Sequence, residues 1–164
     1  MAKLFSFPNP VNETSARLVA AGVVVMCLVT IVLNQPWITA VIAYGFLARV
    51  LTGPKLSPLG QLVTRVISPR VPGAAKMVPG PPKRFAQGMG AVMSVAACVL
   101  ALGFGLTAAA YVLLGLIIVA ATLESVFAIC LGCKIFALLM RRGVIPESVC
   151  EECADITKRF AALS

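Results

Sequence analysis

The fold is decided by residues 85–129, which read FAQGMGAVMSVAACVLALGFGLTAAAYVLLGLIIVAATLESVFAI. Glu124 is the only charged residue in this stretch, and a glycine-containing turn divides it into apolar runs over residues 85–106 and 108–129. A helix needs about 20 mostly apolar residues to cross the hydrocarbon core of a bilayer. Each run is long enough, so the stretch predicts two membrane helices joined by a tight turn.

The composition of the whole chain indicates the same environment. Of its 164 residues, 60% are hydrophobic and 12% are charged, and the mean hydropathy is +0.98. Soluble domains carry about 25% charged residues, and a chain of this length forms one domain. The sequence therefore predicts a single integral-membrane domain.

Two shorter apolar runs precede the decisive stretch. They cover residues 18–33 and 37–51, and only Asn34, Gln35 and Pro36 separate them. A thin or re-entrant hairpin is one interpretation. Spanning is the preferred one, because a lipid-exposed turn inside the bilayer would leave backbone groups without hydrogen bonds. The expected fold class is all-α: a four-helix bundle built from two helical hairpins.

The basic residues predict the orientation of this bundle. All fourteen Lys and Arg lie outside the apolar runs or at their edges, and the two tight turns carry none. The positive-inside rule then assigns both termini, the loop over residues 52–84 and the tail over residues 130–164 to the cytoplasm. Residues 1–12 lack the apolar core of a cleavable signal peptide. Although the net charge is +8, its placement points to the lipid bilayer as partner and not to nucleic acid.

The long loop contains an apolar pattern of its own. Leu59, Leu62, Val63, Val66 and Ile67 recur at helical spacing between polar and basic residues. This pattern predicts an amphipathic helix lying in the cytoplasmic interface. Beyond the last apolar run, a basic helix end followed by a second helix-start signal predicts a short helical C-terminal tail.

Two pairs of cysteines are the chief candidates for chemistry. Cys130 and Cys133 end the last apolar run, and Cys150 and Cys153 follow in the tail, separated from the first pair by sixteen residues. This spacing is typical of four-cysteine zinc sites and also suits one iron held by four thiolates. The other possibility is reversible dithiol chemistry, because cytosolic thiols are seldom locked in structural disulfides.

The first pair has the better position for redox chemistry. A helix that breaks at Gly132 and restarts there would place Cys130 and Cys133 at its N-terminus beside Lys134, where the pKa of a thiol falls. The second pair is surrounded by acidic residues, which disfavour thiolates. A bound divalent cation would reverse that effect.

Glu124 is the third candidate site residue, because a charged side chain within a span is by default a functional hypothesis. It precedes Cys130 by six residues, about 9 Å along a helix. One interpretation is structural, with Arg49 or a backbone carbonyl as its partner. The other assigns Glu124 as proton donor or acceptor for the thiols.

The chain as a whole resembles a known family. The features that carry the resemblance are Phe7-Pro8-Asn9-Pro10-Val11-Asn12-Glu13 with Arg17, the four apolar runs, and Glu124 followed by Cys130-Leu131-Gly132-Cys133. They are similar to the bacterial membrane family of domain of unknown function 4395, especially its actinobacterial members. The resemblance implies the bacterial inner (plasma) membrane and no established activity. Members similar to this chain are often encoded beside thioredoxin-like or rhodanese-like proteins, which implies such a partner.

Two functional hypotheses follow. In the first, Cys130 and Cys133 exchange electrons or sulfur with a partner protein, Cys150 and Cys153 relay or resolve, and Glu124 moves the proton. In the second, the four cysteines bind zinc or iron and fold the tail into a docking surface for a larger membrane complex. A transporter for a small sulfur anion is disfavoured, because no Lys or Arg lies deep within an apolar run.

Overall fold

The computed structural model describes residue 7, residues 10–72 and residues 76–150, which are mostly helical. Within them the α-helices are α1 (Glu13–Val32), α2 (Ile38–Thr52), α3 (Pro58–Leu62), α4 (Gly80–Cys98), α5 (Thr107–Phe127) and α6 (Leu131–Arg141). Turns of π-helix continue α3 over Val63–Ile67 and α4 over Val99–Gly103, and 3₁₀ turns cover Ser68–Arg70 and Glu147–Cys150. Two short antiparallel strands, β1 (Val11–Asn12) and β2 (Met77–Val78), complete the described elements.

Three helices are long and apolar enough to cross a membrane: α1, α4 with its π-helical turn, and α5. The prediction of a mostly helical chain with helices that can span a membrane is therefore confirmed within the described residues. The second apolar run forms the shorter helix α2, of 15 residues, which extends over about 22 Å. Large apolar side chains cover the outer faces of these helices, among them Val92, Val112 and Val119, as expected for surfaces that contact lipid.

The helices pack in pairs: α1 contacts α5 and α2 contacts α4, and α4 also contacts α5 and α6. Their buried side chains form one core, which includes Val23, Cys27, Ile42, Phe46, Ala97, Ala110, Leu114 and Ile117. Gly90 of α4 lies directly against the Phe46 ring of α2, where any side chain would collide with the ring. Small residues thus bring α4 close to its neighbours, the usual way that helices associate in lipid.

The starts of α1 and α4 and the ends of α2 and α5 lie together, at what we call the basic end. The pairing of β1 with β2 joins the segments that lead into α1 and α4. Arg17 of α1 donates to the carbonyl oxygens of Ser125 and Val126 at the end of α5, at 3.0 and 3.3 Å. Arg84 of α4 donates to the carbonyl oxygen of Val50 in α2, at 3.0 Å. Each arginine satisfies carbonyls that the end of a helix leaves without partners.

The opposite end, which we call the turn end, consists of the connections α1–α2 and α4–α5. Asn34 takes a left-handed conformation with φ 49°, and Gly105 does the same with φ 68°. The Tyr111 hydroxyl of α5 donates to the Asn34 side chain at 2.7 Å, which joins the two connections. Trp37 is also exposed here, and Trp and Tyr are enriched where membrane meets water.

The long loop, where the sequence predicts an amphipathic helix, contains three kinds of helical turn in succession: α3, a π-helical turn and a 3₁₀ turn. Val63 is fully buried, and Leu59 fills the space above Gly22 of α1. Leu62 and Val66 are exposed. This segment therefore packs one apolar side against the membrane helices and leaves other apolar side chains uncovered.

Candidate dithiol site

The helical structure is interrupted between α5 and α6, at the basic end. Helix α5 ends at Phe127, and Ala128 adopts the left-handed conformation with φ 55° while its N–H donates to the Leu123 carbonyl. Helix α6 then begins at Leu131. The sequence had suggested a break at Gly132. The interruption comes slightly earlier, over residues 128–130. Gly132 serves packing, since its Cα lies against Ala86 of α4 and leaves no room for a side chain.

Cys130 is the N-terminal cap of α6. Its backbone is extended, and its Sγ accepts a hydrogen bond from the Cys133 backbone N–H at 3.4 Å. Oxygen-bearing side chains usually make this capping bond, so the sulfur takes the place of a Ser or Asp oxygen. The sequence left open whether the helix restarts here, and the structure has α6 begin at Leu131 with Cys130 as its cap and Cys133 in its first turn.

The two thiols are unequal because of their mutual hydrogen bond. The Cys133 thiol donates to the Cys130 sulfur, which lowers the pKa of Cys130. Burial and the Glu124 charge oppose this effect, and the Lys83 charge and the backbone N–H reinforce it. The same hydrogen bond, together with burial, raises the pKa of Cys133. The backbone N–H bond to its Sγ and the lowered pKa make Cys130 the better candidate for the thiolate-forming member of the pair.

Glu124 forms an ion pair that the sequence did not foresee. Its Oε1 lies 2.6 Å from Nζ of Lys83, and only 14% and 10% of the two side chains are exposed. The expected side-chain partner was Arg49. Helix α4 begins at Gly80, before its apolar run, because Pro81 and Pro82 suit the first turn of a helix. Lys83 is thereby carried into α4 and faces α5.

Arg49 organises a separate polar cluster. Its Nε donates to the Gln87 side chain at 3.0 Å and its NH1 donates to the Ser57 hydroxyl at 3.1 Å. The guanidinium carbon also lies 4.6 Å from the centre of the Phe46 ring. Arg49 is 6% exposed and makes no ion pair within the described part of the chain. It links α2, α4 and the turn before α3.

Helix α6 packs on α4 near the Lys83–Glu124 ion pair. Phe136 of α6 is buried, and its ring centre lies 5.7 Å from that of Phe85 in α4. Together with the contact of Gly132 and Ala86, this ring pair fixes the start of α6. The dithiol is therefore positioned by α4, the helix that also supplies Lys83.

Both thiols line a cavity of about 340 Å³ at the basic end, which we call the thiol cavity. Its charged lining residues are Glu13, Lys83 and Lys134, and Phe136 contributes an apolar wall. Glu13 is engaged by Lys76, 3.2 Å away. Lys134 lines the cavity as expected, but Lys83 is the cation whose charge acts on the pKa of both cysteines.

The second cysteine pair lies at and beyond the end of the described residues. The Cys150 backbone ends a 3₁₀ turn, its side chain is not among those described, and Cys153 lies outside the described residues. Among the residues that are described, no group of three or more Cys, Asp or Glu could hold a metal ion. The four-cysteine site therefore stays a prediction.

Sequence reasoning missed Lys83 and Phe136. The signal for Lys83 was present, since Pro81 and Pro82 directly before it mark a helix start. Phe136 carried no such signal, because its contact with Phe85 depends on how α6 turns back after the break.

Comparison with known proteins identifies the family and nothing beyond it. No curated protein and no solved structure matches the chain. One family, described as a domain of unknown function (DUF4395), matches residues 11–141, from the first strand to the end of α6. The match includes Lys83, Glu124, Cys130 and Cys133. The chain is thus a member of the DUF4395 family.

Proposed function

We propose that the protein is a membrane thiol–disulfide exchange protein whose working pair is Cys130 and Cys133. The observation that supports this most strongly is the position of Cys130 as the cap of α6, where its sulfur accepts a hydrogen bond from the Cys133 backbone N–H. Helix N-termini and neighbouring cations are the settings in which cysteines become reactive. The thiol cavity gives a partner access to both sulfurs.

The proposed exchange has two steps. The Cys130 thiolate attacks one sulfur of a partner disulfide, forms a mixed disulfide and releases the other partner sulfur as a thiolate. Cys133 then loses its proton and attacks the Cys130 sulfur, which expels the second partner thiolate. Two electrons pass to the partner, and Cys130 and Cys133 end as a disulfide. Attack on a partner persulfide would transfer sulfur by the same first step.

Lys83 and Glu124 act on this exchange through charge and proton transfer. The Lys83 ammonium stabilises the Cys130 thiolate, whereas the Glu124 carboxylate opposes it. We assign Glu124 as the group that accepts the Cys133 proton for the second step. Lys83, 2.6 Å from the carboxylate, holds it in place.

The membrane arrangement in this proposal has α1, α2, α4 and α5 as a four-helix bundle with its basic end in the cytoplasm of a bacterial plasma membrane. The clustering of Lys and Arg at that end supports the orientation. The segment over residues 58–70 then lies in the cytoplasmic interface, which its exposed Leu62 and Val66 favour. A thioredoxin-like or rhodanese-like protein is the proposed partner.

A trapping experiment in membranes tests the exchange. Cys133→Ser removes the resolving thiol, so a mixed disulfide on Cys130 should accumulate and be seen as a reducible adduct of higher mass. Cys130→Ser should trap nothing. Cys98→Ser, which alters a thiol in the membrane part of α4, is the matched control and should behave as wild type. Equal adducts on Cys130→Ser and Cys133→Ser would contradict the proposal.

A structural metal site is the second candidate. It is supported by the cysteine spacing and by the packing of the 3₁₀ turn Glu147–Cys150 against α4, the helix that also holds α6. Elemental analysis of the purified protein separates the two functions. One zinc or iron per chain, lost in Cys130→Ser and unchanged by oxidant, would replace the exchange mechanism with a metal-held tail.

A further inference from the structure

A second cavity reaches the dithiol from within the membrane part of the protein. It has a volume of about 300 Å³ and lies between α1, α4, α5 and α6; we call it the intramembrane cavity. Along α5 it extends from Glu124 to Leu116, about 12 Å of helical rise. It therefore runs from the basic end toward the middle of the bilayer.

The walls of this cavity are apolar and reach the outer surface. Met89, Met93 and Ile117 line its depth. Leu116 and Val119 also line it, and these two side chains are 53% and 58% exposed on the outer face of α5. The intramembrane cavity is therefore open to a molecule that arrives from the bilayer.

The polar lining of the cavity is gathered at its end near the dithiol, where Gln87, Glu124 and Cys130 lie. The Gln87 carbonyl oxygen is taken by Arg49, and within the described residues its amide nitrogen has no hydrogen bond to another group. Cys130 lines both the thiol cavity and the intramembrane cavity, whereas Cys133 lines only the first of these two. Cys130 thus borders both the thiol cavity and the intramembrane cavity.

We propose that the intramembrane cavity binds the ring of a lipid-soluble quinone, which accepts the electrons of the Cys130–Cys133 dithiol. The proposal rests on the exchange function above and adds the electron acceptor. A dithiol releases two electrons and two protons, which is what a quinone takes up, and quinones dissolve in the bilayer. Ligand pockets range from about 300 to 1,000 Å³, so this cavity suits a ring whose tail leaves past Leu116 and Val119.

The reaction balances without a further co-reactant. The Cys130 thiolate transfers electrons to the ring, Cys133 loses its proton, and an S–S bond forms between the two sulfurs. Both quinone carbonyls become hydroxyls. One proton comes from Cys133, and the other is the proton that Cys130 had released, returned from water through the Lys83–Glu124 pair. The Gln87 amide donates to a ring oxygen and orients the quinone.

The test uses the full chain, reduced and freed of reductant, in lipid nanodiscs. Decylubiquinone is the probe, because its ring is fully substituted and does not add thiols. Quinol formation is followed by ultraviolet absorbance, and disulfide formation by alkylation and mass spectrometry. We expect one quinol for each Cys130–Cys133 disulfide formed and none with Cys130→Ser. Exchange with glutathione disulfide is measured in parallel.

A filled cavity provides the decisive variant. Ala120 lines the intramembrane cavity, so Ala120→Phe should slow quinone reduction by about tenfold or more and leave the exchange with glutathione disulfide unchanged. Ala109→Phe places the same side chain on the exposed outer face of α5 and should slow neither reaction. Should Ala120→Phe lower the yield of folded protein, thermal stabilisation of Cys130→Ser by decylubiquinone gives a second measure of binding.

Each outcome decides one of the two proposals. Exchange with glutathione disulfide but no quinol formation would overturn the quinone site and leave the exchange function standing. Quinol formation at the same rate in Ala120→Phe would also overturn the site, as would the absence of quinone-dependent stabilisation. Failure of both reactions would overturn the exchange function itself. If only a lipid acyl chain occupied the cavity, glutathione disulfide would react but no quinol would form.

Discussion

The two ends of the membrane helices differ in almost every respect. At the turn end, residues 32–38 and 103–107 contain no charged side chain, and backbone turns with one Tyr–Asn hydrogen bond complete the connections. At the basic end, Arg17 and Arg84 occupy helix carbonyls, and a buried ion pair lies beside two thiols. One end of the packed helices thus serves as connection, whereas the other brings charged side chains and two thiols together.

The comparison shows how charged side chains are accommodated near the membrane. A charge near the membrane interior is stable only when it is paired or hydrogen-bonded, and the basic end meets this condition with contacts between different helices. Those contacts join α1 to α5, α2 to α4 and α4 to α5. These charged contacts therefore hold the four helices together at the basic end. Removing one of them should lower the free energy of unfolding more than any change at the turn end.

Breaking the Lys83–Glu124 pair should have the largest effect. Lys83→Met leaves a largely buried carboxylate without its partner, which costs about 3–5 kcal/mol. The free energy of unfolding in mixed micelles measures this loss. The double variant Lys83→Met/Glu124→Leu removes both charges and should recover most of the stability. A single variant as stable as wild type would show that the basic end does not depend on this pair.

Displacing α6 from α4 should come next. Gly132→Ala forces a methyl group against the Ala86 backbone, and overpacking of this kind costs about 1–3 kcal/mol. The Cys130 and Cys133 thiols should then react faster with a bulky alkylating reagent, because the start of α6 moves away. Gly88→Ala is the matched control in the same region, since nothing lies within 4 Å of the position where its methyl would go. Equal behaviour of both variants would contradict the docking role of Gly132.

The charge of Glu124 should tune the thiols with a smaller effect. The carboxylate raises the pKa of Cys130, so Glu124→Gln, which keeps a hydrogen bond to Lys83, should lower it further. The pH midpoint of Cys130 alkylation by iodoacetamide should shift downward, and more thiolate should be present at neutral pH. If Glu124 is also the proton acceptor, resolution by Cys133 should slow in the same variant. An upward shift of the midpoint would rule out the electrostatic role.

The smallest effect is expected at the turn end. Tyr111→Phe removes an exposed hydrogen bond to Asn34 and should cost about 0.5–1 kcal/mol. The pH midpoint of Cys130 alkylation should remain that of wild type, because no polar contact links this end to the dithiol within the described residues. A change in thiol reactivity would mean that the two ends are coupled through the helices.

Much of the fold could be predicted from the sequence, because apolar length and charge placement are properties of the chain itself. The mostly helical character and the presence of apolar helices long enough to span a membrane are confirmed. The two prolines before Lys83 could have placed it in a helix, but its pairing with Glu124 could not be predicted, since that depends on which residues of α4 face α5. The shorter helix α2 was expected to span, and three helices among the described residues are long and apolar enough to do so. The roles of Cys150 and Cys153 stay predictions.

The length of α2 has a consequence for the surrounding lipid. In the proposed four-helix arrangement, its roughly 22 Å faces a hydrocarbon layer of about 30 Å. Acyl chains beside α2 must shorten or tilt so that the polar ends of this helix stay out of the hydrocarbon layer. The cost is a fraction of a kcal/mol for each ångström of mismatch. In that arrangement the bilayer is thinner beside α2 than beside the three longer helices.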